Sequence, residues 1–192
     1  MKKDFTYLTR WLITLFAANI LWAFLIGFVE TLCKLLFPSP TVYCLFTWVI
    51  GTAVICTALA ITAYRVGIQL NGKSKPVSLD GPALNQVIGV FIYVAAFWIT
   101  KGTFVLGPNT HMLSDTLNGT NPQAHISSDP SLSTLVWLCV LQVLIYAAAS
   151  MAAYISAKNK QDHHNEAVRK LREERQKAEA SADGDRSWKT VN

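Results

Sequence analysis

Charge is what this chain has least of. Only 15% of its 192 residues are Asp, Glu, Lys or Arg, against 52% that are hydrophobic, and the few charges avoid the middles of four long apolar runs. A soluble helical bundle shows a polar face every three or four residues along each helix, and these runs show none, which excludes a water-soluble domain. Charge inside hydrocarbon costs about 3 kcal/mol on insertion scales. The absence of Asp, Glu, Lys, Arg and His from the centres of the runs therefore argues against a proton relay or a dedicated ion transporter.

Chemical constellations are missing as well. No phosphate-cradling glycine loop, nucleophile motif or pair of catalytic carboxylates is present. His111 and His125 stand apart and His163 and His164 are adjacent, so no two histidines have the i,i+4 spacing that presents two metal ligands on one helical face. The four cysteines are Cys33, Cys44, Cys56 and Cys139. A quinone-coupled thiol oxidase of the bacterial inner membrane also has four spans, but it needs a Cys-x-x-Cys pair in the first outer loop and a second pair in the long outer loop. This chain has neither, and its cysteines read as small buried hydrophobes. Cys33 and Cys44 flank a short loop, and sequence leaves open whether they bridge. The chain is thus read as non-enzymatic, with no cofactor and no metal.

What is present is apolar length. A helix needs roughly 20 mostly apolar residues to cross a hydrocarbon core about 30 Å thick. Four segments qualify: 11–37, 42–64, 82–106 and 132–156. The expected fold is an all-α integral membrane protein with four transmembrane helices and a cytoplasmic C-terminal helical extension. Lys2 and Lys3 imitate the start of a signal peptide, but the run after Arg10 is too long and lacks a small-x-small cleavage pattern, so it reads as a retained span.

The basic residues orient the spans. Lys2, Lys3 and Arg10 precede the first, Arg65, Lys73 and Lys75 join the second to the third, and Lys158, Lys160, Arg169 and Lys170 follow the fourth. By the positive-inside rule these segments, and with them both termini, are cytoplasmic. The net charge of +5 belongs to this topology and to anionic lipid, and no nucleic-acid contact is expected.

The connections differ in kind. Pro38 and Pro40 make the first outer connection a turn. Asn71-Gly72 marks a turn in the cytoplasmic connection, and Pro82 suits the first turn of the third helix. The outer connection 107–131 is the longest, a loop with one helical turn and the leading candidate for an outer recognition surface. It carries the sequon Asn118-Gly119-Thr120. The tail, 157–192, is charged, helical to about residue 180 and disordered after that, with Glu166 to Lys170 and Glu173 to Lys177 at i,i+4 spacing.

Four groups of site residues follow. Asn19 and Gln142 are intramembrane amides that seek partners across helix interfaces. Ala148 and Ala152 have small-xxx-small spacing that favours close helix approach, within the bundle or between copies. Glu30, Lys34 and Lys101 lie near outer span ends and form a candidate ion pair. Val168, Leu171, Arg172 and Arg175 form a candidate partner-docking face on the tail.

Four spans, inside termini and a basic helical tail beginning at Ala157 resemble KwaA, the membrane component of the bacterial Kiwa anti-phage system. The resemblance implies a homo-oligomer that partners a cytoplasmic effector protein. The expected function is an inner-membrane sensor or scaffold subunit whose tail meets that partner, in anti-phage defence. The alternatives are a membrane immunity or exclusion protein, a small channel or transporter lined by Asn19 or Gln142, and a thiol-redox membrane enzyme using Cys33 and Cys44.

Overall fold

The computed structural model describes residues 4–71, 80–99, 110–117 and 132–189, and every element among them is helical. Helix α1 runs Asp4–Leu36, α2 Pro40–Asn71, α3 Asp80–Ile99, α4 Thr110–Leu117 and α5 Leu132–Lys189. Three of these are long and apolar enough to cross a membrane, over Thr6–Leu36, Pro40–Leu70 and Thr134–Ala178. The described apolar part of α3 is shorter, Pro82–Ala96, and residues 100–106 of the expected third span lie outside the described residues.

Proline sets the first boundary. A residue before proline is pushed out of the helical region, and α1 stops at Leu36 just ahead of Phe37 and Pro38, where the Phe37 N–H donates to the Cys33 carbonyl at 2.8 Å. Pro40 opens α2, where its missing N–H costs nothing, and the Tyr43 N–H returns to the Ser39 carbonyl at 3.1 Å. The rings of Phe37 and Phe46 stack across the turn with centroids 4.3 Å apart. Pro82 is the third residue of α3, within its first turn.

The helices run beyond the expected spans. Helix α1 begins at Asp4 rather than near residue 11, α2 continues past Tyr64 to Asn71, and α5 continues past residue 180 to Lys189. Each extra residue fixed in an existing helix gains a backbone hydrogen bond, and no proline interrupts any of these extensions. Where a loop with one helical turn was expected, α4 has eight residues, about two turns.

The four long helices form a ring in which α1 touches α2 and α3, and α5 touches α2 and α3. Helices α1 and α2 are antiparallel, with Arg10 bonded to Gln69 and Thr14 to Thr62. Helices α1 and α3 are parallel, with Tyr7 bonded to Gln86 and Gly89 lying against Trp11. The main core gathers Tyr7, Trp11 and Leu15 of α1, Ile55, Leu59 and Val66 of α2, Tyr93 of α3, and Val143, Tyr146 and Tyr154 of α5. A smaller core at the turn end joins Cys33, Tyr43, Cys44 and Trp48 to Leu113 of α4.

Outside this ring the surface is apolar. Phe24 is 82% exposed and Trp137 72%, a pattern that suits lipid contact and is disfavoured in water. Only 17% of the apolar window of α1 is buried by the rest of the chain, so this helix offers most of its circumference to the surroundings.

Candidate functional site

Residues four apart lie one above another on a helix. On α5 this spacing stacks Gln142, Tyr146, Ser150 and Tyr154 into a single stripe, and all four are fully buried. Twelve residues at about 1.5 Å each make the stripe about 18 Å long. In an apolar surrounding polar groups need partners, and Gln142 and Ser150 find theirs on α4 and α1 as well as within α5.

At the turn end, the Thr110 hydroxyl of α4 donates to Gln142 Oε1 at 3.1 Å. Gln142 Nε2 donates to the Tyr146 hydroxyl at 2.6 Å. Lower on the stripe, Ser150 Oγ donates to the Tyr146 carbonyl at 2.7 Å and accepts the Trp11 indole N–H at 2.9 Å. Trp11 reaches Ser150 across the diagonal of the ring, where the backbones of α1 and α5 do not approach. Beside it the Tyr7 ring meets Tyr154 edge-on, with centroids 5.6 Å apart and planes at 80°. The Tyr7 hydroxyl donates to Gln86 Oε1 of α3 at 3.0 Å. One polar stripe thus ties α1, α4 and α5 together directly, and α3 through Tyr7.

Near the foot of the stripe, α2 packs tightly against α5 at Gly67. A Cβ added at Gly67 would lie 2.8 Å from the Ala157 Cβ and 3.3 Å from the Tyr154 carbonyl oxygen. Only glycine admits this contact, and α5 leaves the bundle immediately after it.

The seat of α4 is less well satisfied. Leu113 is buried against Cys33, Tyr43, Cys44 and Trp48, but the Ser114 hydroxyl and the Trp48 indole N–H are buried without a hydrogen-bond partner among the described residues. Each such group costs about 1–3 kcal/mol.

No family model, curated protein or solved structure matches this chain.

The residues singled out by sequence fall in different places. Gln142 lies in the stripe and joins α5 to α4. The Asn19 amide turns back on its own helix and donates to the Leu15 carbonyl at 2.7 Å, while the side chain is half-buried. Ala148 and Ala152 are exposed on α5, and the close approach inside the chain is made by Gly67 and Ala157 instead. Glu30 and Lys34 pair at 2.6 Å, and the Lys34 ammonium sits 5.2 Å above the centre of the Tyr43 ring. Lys101 and the sequon at Asn118 lie outside the described residues. Cys33 and Cys44 belong to one buried cluster, and both are free thiols.

On the tail, Val168 is half-buried, Leu171 is 60% exposed, and Arg172 and Arg175 are exposed. Their i, i+3, i+4, i+7 spacing puts all four on one face. Glu166 pairs with Lys170 at 3.0 Å, and Glu173 pairs back to Arg169 at 3.4 Å. Among the described residues no three His, Cys, Asp or Glu side chains gather into a group that could hold a metal ion.

Tyr7, Trp11, Tyr146, Ser150 and Gly67 are the residues that sequence reading missed. A search for charge and amides passes over Tyr, Trp and Ser. The recoverable signal was the i,i+4 repeat of hydrogen-bonding side chains from Gln142 to Tyr154.

Proposed function

We propose that this chain is a non-enzymatic subunit of the bacterial inner membrane that senses or scaffolds in the bilayer and meets a cytoplasmic effector protein through the tail of α5. In this reading it crosses the membrane four times with both termini cytoplasmic. Helix α3 is the fourth span: its 20 residues at about 1.5 Å each match a core about 30 Å thick. The end of the bundle where α5 leaves carries Arg10, Arg65, Lys158 and Lys160, and the turn end carries Lys34 alone among described cations, a bias that supports this orientation.

The observation that carries the proposal is the continuity of α5, one helix from Leu132 to Lys189. Its 58 residues span about 87 Å, and only about 30 Å of that is needed to cross the hydrocarbon. The same rigid element holds the buried polar stripe at one end and presents the face Val168, Leu171, Arg172 and Arg175 at the other. Helix α4, eight residues long, is held to the stripe through Thr110, and its displacement would break the bond to Gln142. A signal arriving at the outer surface moves α4, releases Gln142, and is passed along α5 to the tail. The expected setting is anti-phage defence, with the chain acting as a homo-oligomer of the Kiwa type.

Affinity purification in mild detergent tests this. The full chain should retain a cytoplasmic protein that is lost both from a chain ending at Ser156 and from the full-length variant L171D/R172E. Equal recovery from all three would refute the proposal and move the function into the bilayer, as an exclusion protein requires.

A further inference from the structure

We propose that the groove between α1 and α2, at the end of the bundle where α5 leaves, binds one anionic phospholipid, with its phosphate on Arg10 and Arg65 and an acyl chain along the groove above them. The inference does not depend on the proposed partner.

Arg10 is held across the seam, its Nη1 donating to Gln69 Oε1 of α2 at 2.5 Å. Arg65 lies on α2 one helical turn before Gln69, so the two guanidinium groups share one rim. Both arginines are exposed. The ion pairs among the described residues are Glu30 with Lys34, Glu166 with Lys170 and Glu173 with Arg169, so neither arginine of the rim has a carboxylate partner there. Gln69 occupies one N–H of Arg10. The remaining N–H forks suit the planar, two-point recognition of a phosphate.

The groove identifies the source of that phosphate. Above the rim the hydroxyls of Thr14 and Thr62 bond each other across the seam at 3.1 Å and so satisfy their own polarity. Beyond them the same helical stripes carry Ala17 and Leu21 on α1, and Ile61 and Val54 on α2. Leu21 is 56% exposed, Ile61 49% and Val54 37%. A positive rim that opens directly onto an uncovered apolar groove matches a molecule with a phosphate at one end and a hydrocarbon chain at the other. A soluble phosphate ester would leave the groove unused.

The test uses the purified full chain in neutral detergent, with retained lipid counted by native mass spectrometry and unfolding followed by thermal shift. Phosphatidylglycerol should be retained about 30-fold more tightly than phosphatidylcholine, roughly fivefold for each arginine. The preference should vanish in R10Q/R65Q and survive in the tail variant R169Q/R172Q. L21W, which fills the groove and leaves both arginines in place, should also lose phosphatidylglycerol, and it decides the matter if R10Q/R65Q fails to fold. Equal retention of the two lipids by the unaltered chain would overturn the proposal, as would a preference that survives R10Q/R65Q. A thermal shift from soluble glycerol phosphate as large as that from phosphatidylglycerol would overturn it too, because the site would then belong to a soluble anion.

Discussion

Replacing Gly67 by Ala should destabilise the bundle, although in a helix the same exchange is ordinarily favourable by about 1 kcal/mol. The added methyl would stand 2.8 Å from the Ala157 Cβ, where carbon atoms at rest sit about 3.5–4.0 Å apart. Neither the Ala157 Cβ nor the Tyr154 carbonyl oxygen, at 3.3 Å, can rotate away, and the Tyr154 ring, whose Cδ2 also stands 3.3 Å off, is fully buried. Relief requires α2 and α5 to separate by roughly 0.7–1.2 Å along a close-packed seam. Overpacking of this kind costs typically 1–3 kcal/mol, so the propensity gain leaves a net loss of about 0–2 kcal/mol. Gly27 supplies the control, because a Cβ there meets nothing within 4 Å. Thermal unfolding in detergent should therefore place Gly27→Ala at or above the unaltered chain and Gly67→Ala below it. Adding Ala157→Gly to Gly67→Ala removes the colliding atom and should recover most of the loss, a coupling that a double-mutant cycle measures directly. Equal unfolding temperatures for Gly67→Ala and Gly27→Ala would refute the reasoning, as would strict additivity of the pair.

Further expectations follow from single contacts. Gln142→Leu leaves the Thr110 hydroxyl and the Tyr146 hydroxyl without their shared amide and should cost about 1–2 kcal/mol by thermal unfolding. Asn19→Leu gives up only a bond to its own helix and should change stability by less than about 0.5 kcal/mol; a larger effect there than at Gln142 would contradict the arrangement of the stripe. Cys33 and Cys44 are buried free thiols. Both should resist iodoacetamide in the folded chain and react after denaturation without prior reduction, whereas a need for reductant would reveal a bridge. Glu166 is held below the usual carboxylate range by its hydrogen bond to Lys170, helped by the nearby charges of Lys170, Arg169 and His163. Because the folded value is depressed, its contribution to the tail helix is present above the ordinary carboxylate value and lost as pH falls through the folded one. Amide exchange across residues 160–175, corrected for intrinsic rate, should show stronger protection at neutral pH than under acid conditions, and Glu166→Gln should flatten that difference.

The legible and the illegible parts of this protein divide by the range of the forces involved. Pro38 and Pro40 mark the first turn wherever the rest of the chain goes, since their effect is confined to adjacent residues. The pair Glu166 and Lys170 could be read from i,i+4 spacing alone. The pair expected between Glu173 and Lys177 was not formed, because Arg169 offers Glu173 an equivalent cation one turn earlier, and spacing cannot choose between two equal neighbours. Asn19 misled for a related reason. An amide in the middle of an apolar helix needs a partner, but the carbonyl four residues back is always within reach, and local satisfaction leaves nothing for a neighbouring helix.

By itself the sequence determined what depends on length and on the absence of charge: helices long enough to cross hydrocarbon, the turn that separates the first two, and a charged helical tail. These follow because a helix rises a fixed distance per residue and hydrocarbon rejects ionised groups wherever they stand. Only the tertiary structure decided which side chains meet. Trp11 and Ser150 are 139 positions apart, and Gly67 touches Ala157 because two helices settle at one particular register. That register is the outcome of packing summed over whole helix faces, a quantity no single residue or spacing carries.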